Sequence, residues 1–91
     1  MKPAIKVMRD GREILNLDSR EGKRLYRDRV YVAWVAQGGI CAGACKKPIP
    51  FDFATADHIK PRGMGGGSRD DRQENIQAMC WWCNGLKGSK R

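Results

Sequence analysis

The residues best suited to do chemistry in this 91-residue chain lie around its single histidine. His58 directly follows Asp57. An imidazole of ordinary pKa, about 6.5, can take a proton from water near neutral pH, and a carboxylate can hold a hard divalent cation. Because neighbouring side chains on a strand point to opposite faces, the two residues can do these two jobs side by side. Two close cysteine pairs flank them, Cys41 with Cys45 and Cys80 with Cys83.

The cysteine pairs predict a structural zinc site. Two thiolates on one short turn can point at the same cation, and two such turns complete a tetrahedral four-thiolate site. The segment Met1–Lys6 becomes charged too early for a signal peptide, which favours the reducing cytoplasm. Disulfides and free core thiols are the alternatives. With four thiolates the zinc site would be closed, and no cysteine would remain as a nucleophile.

Length and charge narrow the class of protein. The chain has room for one domain with a thin core, so a metal is a plausible source of stability. Its 18 lysines and arginines against 10 acids give a formal net charge of +8. This charge favours a polyanionic partner, chiefly nucleic acid, or an anionic membrane surface, or it serves solubility alone. No apolar run is long enough to cross a membrane.

Three regions follow along the chain. Residues 1–18 predict a β-hairpin extension, in which strands within residues 4–17 flank an Asp10-Gly11 turn. Residues 19–37 predict a helix that Ser19 caps, with its body over 20–37 and with Gly38-Gly39 as its stop. Its polar side is a phosphate-binding face or a solvated one. That side carries Lys23, Arg24, Arg27, Asp28 and Arg29.

The third region, residues 38–91, holds the chemical motifs. Residues 51–59 and 75–79 predict two strands, the segment Cys80–Cys83 a turn, and residues 84–90 a terminal helix. Between the strands, the glycine-rich segment 63–73 predicts a mobile loop.

The motifs of this region, in their order, resemble those of the HNH nucleases. The resemblance covers residues 38–90 and implies a small α+β, metal-stabilised fold: a ββα-metal core of two strands and a helix around one catalytic cation, here preceded by the hairpin and helix. The cysteines would hold a separate structural zinc. The matching pieces are the Cys-x3-Cys pair, Asp57-His58-Ile59-Lys60-Pro61, Gly65-Gly66-Gly67, Glu74-Asn75-Ile76-Gln77, Cys80-x2-Cys83 and Asn84-Gly85-Leu86-Lys87.

Position by position, the resemblance implies a role for each site residue. His58 would be the general base, and Asp57 with Asn84 would hold the catalytic cation. Asn75 would tether the loop and orient the strand that bears the histidine. A third motif position that is histidine in the type sequence is Asn84 here, an H-N-N variant, and oxygen ligands alone favour Mg²⁺ or Mn²⁺ over a catalytic zinc or nickel ion.

The expected activity is metal-dependent hydrolysis of DNA with weak sequence specificity. Nicking or double-strand cleavage, oligomeric state and biological setting stay open. The alternatives are a non-catalytic zinc-ribbon module and a disulfide-stapled secreted protein. Of Trp81 and Trp82, one is expected to pack in the core and the other to lie partly exposed. Phosphate contacts are expected from Lys60, Arg62, Arg72 and Lys87.

Overall fold

The structure is a computed structural model that describes residues 3–60 and 69–88, with side chains up to residue 86. Two small antiparallel sheets and two helices make up an α+β fold. The predicted glycine-rich loop falls largely outside the described residues. Across the part of the chain that is described, no helix combines the length and apolarity needed to cross a membrane.

The predicted hairpin is confirmed. Strand β1 (Ile5–Val7) pairs antiparallel with β2 (Glu13–Leu15). Gly11 in the turn has a φ of +92°, a conformation that residues with a Cβ rarely adopt. Leu15, at the end of β2, is fully buried and anchors the hairpin to the rest of the fold.

The predicted helix is also confirmed and spans Arg20–Ala36 as α1. The Ser19 hydroxyl caps it by accepting a hydrogen bond from the backbone N–H of Gly22 at 2.9 Å. Gly38 and Gly39 have φ of +67° and +75° and turn the chain away from the helix axis.

A ββα unit forms the C-terminal part. Strand β3 (Ala54–His58) pairs antiparallel with β4 (Ile76–Cys80), and α2 (Trp81–Gly88) follows without a break. The first predicted strand was too long, because Phe51–Phe53 forms a 3₁₀ turn. The helix starts at Trp81 rather than at residue 84, because the sulfur of Cys80 accepts the backbone N–H of Cys83 at 3.4 Å and caps its first turn.

Helix α1 lies on one face of the β3–β4 sheet and forms the core with it. Val30 and Ala33 of the helix are buried in one cluster with the sheet residues Ala54, Ile76 and Ala78. Small side chains on the sheet let the helix approach closely. The Gln37 side chain continues the contact beyond the helix end, donating to the Ala78 carbonyl and accepting its N–H at 3.0 and 2.8 Å.

The polar side of α1 is only partly solvated, which corrects the sequence prediction for two of its residues. Arg27 donates to the carbonyls of Phe51 and Ala54 at 2.7 Å each. Arg29 donates to the Asp71 carbonyl at 2.7 Å and pairs with Glu13 at the same distance. Both guanidinium groups therefore donate to backbone carbonyls, which need a hydrogen-bond partner when they are removed from water.

Candidate functional site

The four cysteines converge. Cys41 and Cys45 lie on a loop, and Cys80 and Cys83 lie at the junction of β4 and α2, yet all four sulfurs are within 4.8 Å of one another. None forms a disulfide. The Cys45 and Cys80 sulfurs are 3.8 Å apart. A tetrahedral site with Zn–S bonds of about 2.3 Å has sulfurs separated by about 3.8 Å, so the cluster fits such an ion.

Backbone amides support these sulfurs. The N–H groups of Gly43 and Cys80 both donate to the Cys41 sulfur at 3.3 Å. A hydrogen bond from the Cys83 backbone lowers the pKa of the Cys80 thiol to about 7. A hydrogen bond from the Cys45 backbone lowers the pKa of Cys83, but burial and the three neighbouring sulfurs raise it to about 11 overall. Four ionised sulfurs at this distance repel one another, so a bound cation is what lets all four be thiolates together.

Asp57 lies on the face of β3 that points away from α1. The carboxylate is buried, with 7% of the residue exposed. Its cross-strand partner Gln77 donates to Oδ2 through Nε2 at 2.8 Å. Thr55, two residues earlier, shares this face because side chains alternate along a strand.

Asn84 of α2 is bound to the same strand. Its Nδ2 donates to the Thr55 hydroxyl at 2.8 Å and to the Ala56 carbonyl at 3.0 Å. The Thr55 hydroxyl has one proton and donates it to the Met79 carbonyl at 2.8 Å, so it must accept from Asn84. Because both partners on β3 are acceptors, the NH₂ group of the Asn84 amide faces the strand. The other atom of the amide, Oδ1, is the one that could bind a cation.

His58, the last residue of β3, lies on the opposite face. Its ring stacks on Tyr26 of α1 with centroids 6.2 Å apart. Its Nε2 is 2.8 Å from Oδ1 of Asp71, and the His58 side chain is 21% exposed while that of Asp71 is fully buried. The fold therefore places Asp57 and His58 on the two faces of the end of β3, while Asn84 binds the middle of the same strand.

Asn75 clamps the chain just beyond this strand. Its Oδ1 accepts the Lys60 N–H at 2.8 Å, and its Nδ2 donates to the carbonyls of Lys60 and Asp70 at 3.2 and 2.8 Å. The residue is buried. Its amide joins the segment after His58 to the segment that carries Asp71.

The other predicted contact residues differ in their surroundings. Lys60 is exposed. Arg72 forms a salt bridge with Asp70 at 2.8 Å and stays 35% exposed. Arg62 and the Lys87 side chain lie outside what the structure describes.

The prediction that one tryptophan of the Cys80–Cys83 segment packs in the core was wrong. Trp81 and Trp82 are 74% and 61% exposed. Cys80 and Cys83 are three residues apart and face one side of the α2 start, which leaves the two indoles on the other side.

The sequence analysis missed Asp71. It lies in a polar stretch that was assigned to a mobile loop, and its partners, His58 and Leu15, are 13 and 56 residues away. A pair of consecutive acids in a basic chain was the only signal, and it does not indicate which histidine or backbone group the acid would meet.

Comparison with known proteins identifies the family of the chain. The HNH endonuclease family model matches residues 41–90. Over 85 residues, 92% of the chain, the sequence is 36% identical to the CRISPR-associated endonuclease Cas9 of Corynebacterium diphtheriae. The chain spans 7% of that relative's length. No solved structure matches the chain significantly.

A two-stranded antiparallel sheet, a following helix and a four-cysteine cluster define a metal-stabilised ββα unit. The chain belongs to the HNH endonuclease family, as the match over more than half of its length shows.

Proposed function

We propose that this protein is a divalent-metal-dependent DNA endonuclease in which His58 is the general base. The observation that best supports the proposal is the arrangement of three side chains around β3: Asp57 and His58 lie on opposite faces of its end, and Asn84 of α2 binds its middle. A hydrolase of phosphodiesters needs a base for water and a cation near the phosphate, and these residues suit both tasks.

In the proposed reaction the imidazole of His58 takes a proton from a water molecule. The water oxygen then forms a bond to phosphorus while the bond from phosphorus to the leaving sugar oxygen breaks. That oxygen leaves as an alkoxide and is protonated by solvent. The protein positions the reacting groups: His58 is held at the end of the hydrogen-bonded strand β3, and the carboxylate of Asp57 is held next to it.

Asp57 and the Oδ1 of Asn84 would hold the catalytic cation. Both are hard oxygen donors, which suit Mg²⁺ or Mn²⁺, and the buried carboxylate gains a compensating charge when such an ion binds. When bound, the cation stabilises negative charge on the phosphate and on the leaving oxygen. The four-cysteine cluster would hold one structural Zn²⁺, which ties the start of α2, and therefore Asn84, to the loop before β3.

DNA is the expected partner, with weak sequence specificity. The net charge of +8 supports an electrostatic, phosphate-directed attraction. Lys60, Arg62, Arg72 and Lys87 are the proposed phosphate contacts. The free thiols support a reducing setting such as the cytoplasm.

The test is cleavage of supercoiled plasmid with Mg²⁺ or Mn²⁺, beside an EDTA control and the His58→Ala variant. Ile59→Ala is the matched control, because Ile59 is 51% exposed and its neighbouring backbone contacts are kept. Wild type and Ile59→Ala should nick or cut, while His58→Ala should lose at least about 100-fold in rate and keep its zinc.

Cleavage that survives His58→Ala would exclude His58 as the base. Zinc as the best supporting metal, with Mg²⁺ inert, would overturn the assignment of the catalytic cation. A protein that binds plasmid and leaves it intact under every divalent metal would be the non-catalytic zinc-ribbon module instead.

A further inference from the structure

Asp71 is the one fully buried carboxylate among the described residues, and it contacts His58. Its side chain accepts three further hydrogen bonds. The Leu15 N–H donates to Oδ2 at 2.8 Å, and Nε of Arg69 lies 2.9 and 2.8 Å from the two carboxylate oxygens. Each oxygen of Asp71 is therefore surrounded by donors.

These hydrogen-bond donors favour the ionised form of the Asp71 carboxyl. Burial raises its pKa, but the hydrogen bonds from His58, Leu15 and Arg69 outweigh burial and hold the pKa below its usual value. An ionised carboxylate only accepts hydrogen bonds. The short contact with His58 therefore requires a proton on Nε2, and in the neutral ring the lone pair is then on Nδ1.

The anchor of Asp71 lies in the N-terminal hairpin, outside the family-matched segment 41–90. The backbone N–H of Asp71 donates to the Glu13 carbonyl at 2.7 Å, and Arg69 donates through Nη2 to the Leu15 carbonyl at 2.7 Å. Backbone and side-chain hydrogen bonds thus hold the segment that carries Asp71 against β2.

We propose that Asp71 is a positioning residue for His58: it fixes the ring and keeps the neutral imidazole in the Nε2–H form, which leaves Nδ1 to accept the proton. The hairpin, by holding Asp71, becomes part of the catalytic apparatus. The consequence for catalysis rests on the function proposed above. The assignment of the tautomer rests only on the contact between His58 and Asp71.

The Asp71→Asn variant tests this with almost no change of shape. The asparagine amide has a single oxygen. The buried Leu15 N–H and Arg69 both need an acceptor, so this oxygen would face them. The NH₂ group would then face His58, and the ring would have to accept through Nε2 and carry its proton on Nδ1. In a Ser-His-Asp triad the equivalent change lowers kcat by about 10⁴-fold through the wrong tautomer.

Because the chain has a single histidine, ¹⁵N-histidine labelling of the 91-residue, zinc-loaded chain gives one imidazole spectrum. At about pH 9, where an ordinary imidazole is neutral, wild type should show the proton on Nε2 and Asp71→Asn should show it on Nδ1. A wild-type ring that is protonated on Nδ1, or shows no preference, would overturn the proposal without any variant being made.

Plasmid cleavage gives the second measurement. Asp71→Asn should lower kcat by about 10²–10⁴-fold with KM little changed. Asp52→Asn, which neutralises an exposed carboxylate, should keep kcat within about 2-fold and keep the Nε2–H spectrum. Equal kcat for wild type and Asp71→Asn would also overturn the proposal. If wild type shows the Nε2–H spectrum but never cleaves, the proposed function fails while the role of Asp71 in fixing the tautomer stands.

Discussion

The side-chain amide of Asn84 donates a 2.8 Å hydrogen bond to the hydroxyl of Thr55, which in turn donates to the carbonyl of Met79. A side chain on the helix is thereby oriented by a side chain on the strand. Under the proposed function, this orientation leaves the amide oxygen of Asn84 to bind the catalytic cation. Mutation of a residue that orients a metal ligand typically costs about 10–100-fold in metal affinity or activity, so Thr55 offers a test of that proposal.

Thr55→Val should raise the Mg²⁺ concentration needed for half-maximal cleavage by about 10-fold, since it removes the hydroxyl and keeps the shape. Thr55→Ser is the matched control and should behave like wild type. The measurement is the plasmid cleavage rate as a function of Mg²⁺ concentration. Identical metal dependence for the valine and serine variants would contradict the proposed role of Asn84 as a ligand.

Gly43 is required by the cysteine cluster. A Cβ at this position would lie 2.5 Å from Cβ and 2.8 Å from the sulfur of Cys83. Gly43→Ala should therefore displace the cluster, lower the zinc content below one ion per chain and lower the Tm. Gly85→Ala in α2 is the control, because a Cβ there meets nothing within 4 Å, and it should gain up to about 1 kcal/mol from helix propensity. Full zinc content and an unchanged Tm for Gly43→Ala would argue against the packing described.

Asn75 should contribute to stability through its clamp on the two segments. Asn75→Ala removes three hydrogen bonds at a buried position, for an expected loss of about 1–3 kcal/mol in the free energy of unfolding. Urea denaturation at fixed zinc measures the loss. The exposed neighbour serves as the control, and Glu74→Ala should stay within about 0.5 kcal/mol of wild type. The clamp would be disproved by equal stability of the two variants.

Asp70 should make the folded state less stable as the pH falls into the acid range. Hydrogen bonds from the Arg72 side chain are the main cause that lowers the pKa of Asp70 to about 2. Because the folded-state pKa lies below the unfolded value of about 4, this contribution is fully present above pH 4. It is lost as the pH falls through about 2. Asp70→Asn should lack that part of the acid dependence.

The measurement for Asp70 is the difference in unfolding free energy between wild type and Asp70→Asn, taken at several values between pH 7 and pH 2. Loss in acid of a metal from the cysteine cluster would affect both proteins alike and would cancel in this difference. The difference should shrink as the pH falls. A difference that stays constant over the whole range would show that the Asp70–Arg72 pair does not act through its charge.

Local sequence signals predicted the elements that depend on neighbouring residues. The Asp10-Gly11 turn, the Ser19 cap and the glycine stop after α1 each act within a few residues. The cysteine spacing likewise predicted a cluster, because each pair is nearly complete on its own turn. Such features need no knowledge of tertiary packing.

Interactions between distant segments could not be predicted in this way. Arg27 and Arg29 looked like members of a solvated face, but they bind carbonyls on segments that follow them by more than twenty residues. Asp71 belonged to a stretch without any periodic pattern, and its importance arises only when β2 lies beside it. In both cases a backbone group is among the partners, and a backbone group has no signature in the sequence.

The bond between Leu15 and Asp71 joins residues 56 positions apart and has a consequence for partly unfolded forms of the protein. Proteins open locally at a lower free energy than they unfold globally. An opening that releases the hairpin while the cysteine cluster stays closed would leave the ββα unit standing but deprive Asp71 of its Leu15 anchor. The cysteine cluster would then stay intact while His58 lost its fixed orientation. Under the proposed function, a folding defect confined to the first eighteen residues would therefore resemble an active-site mutation.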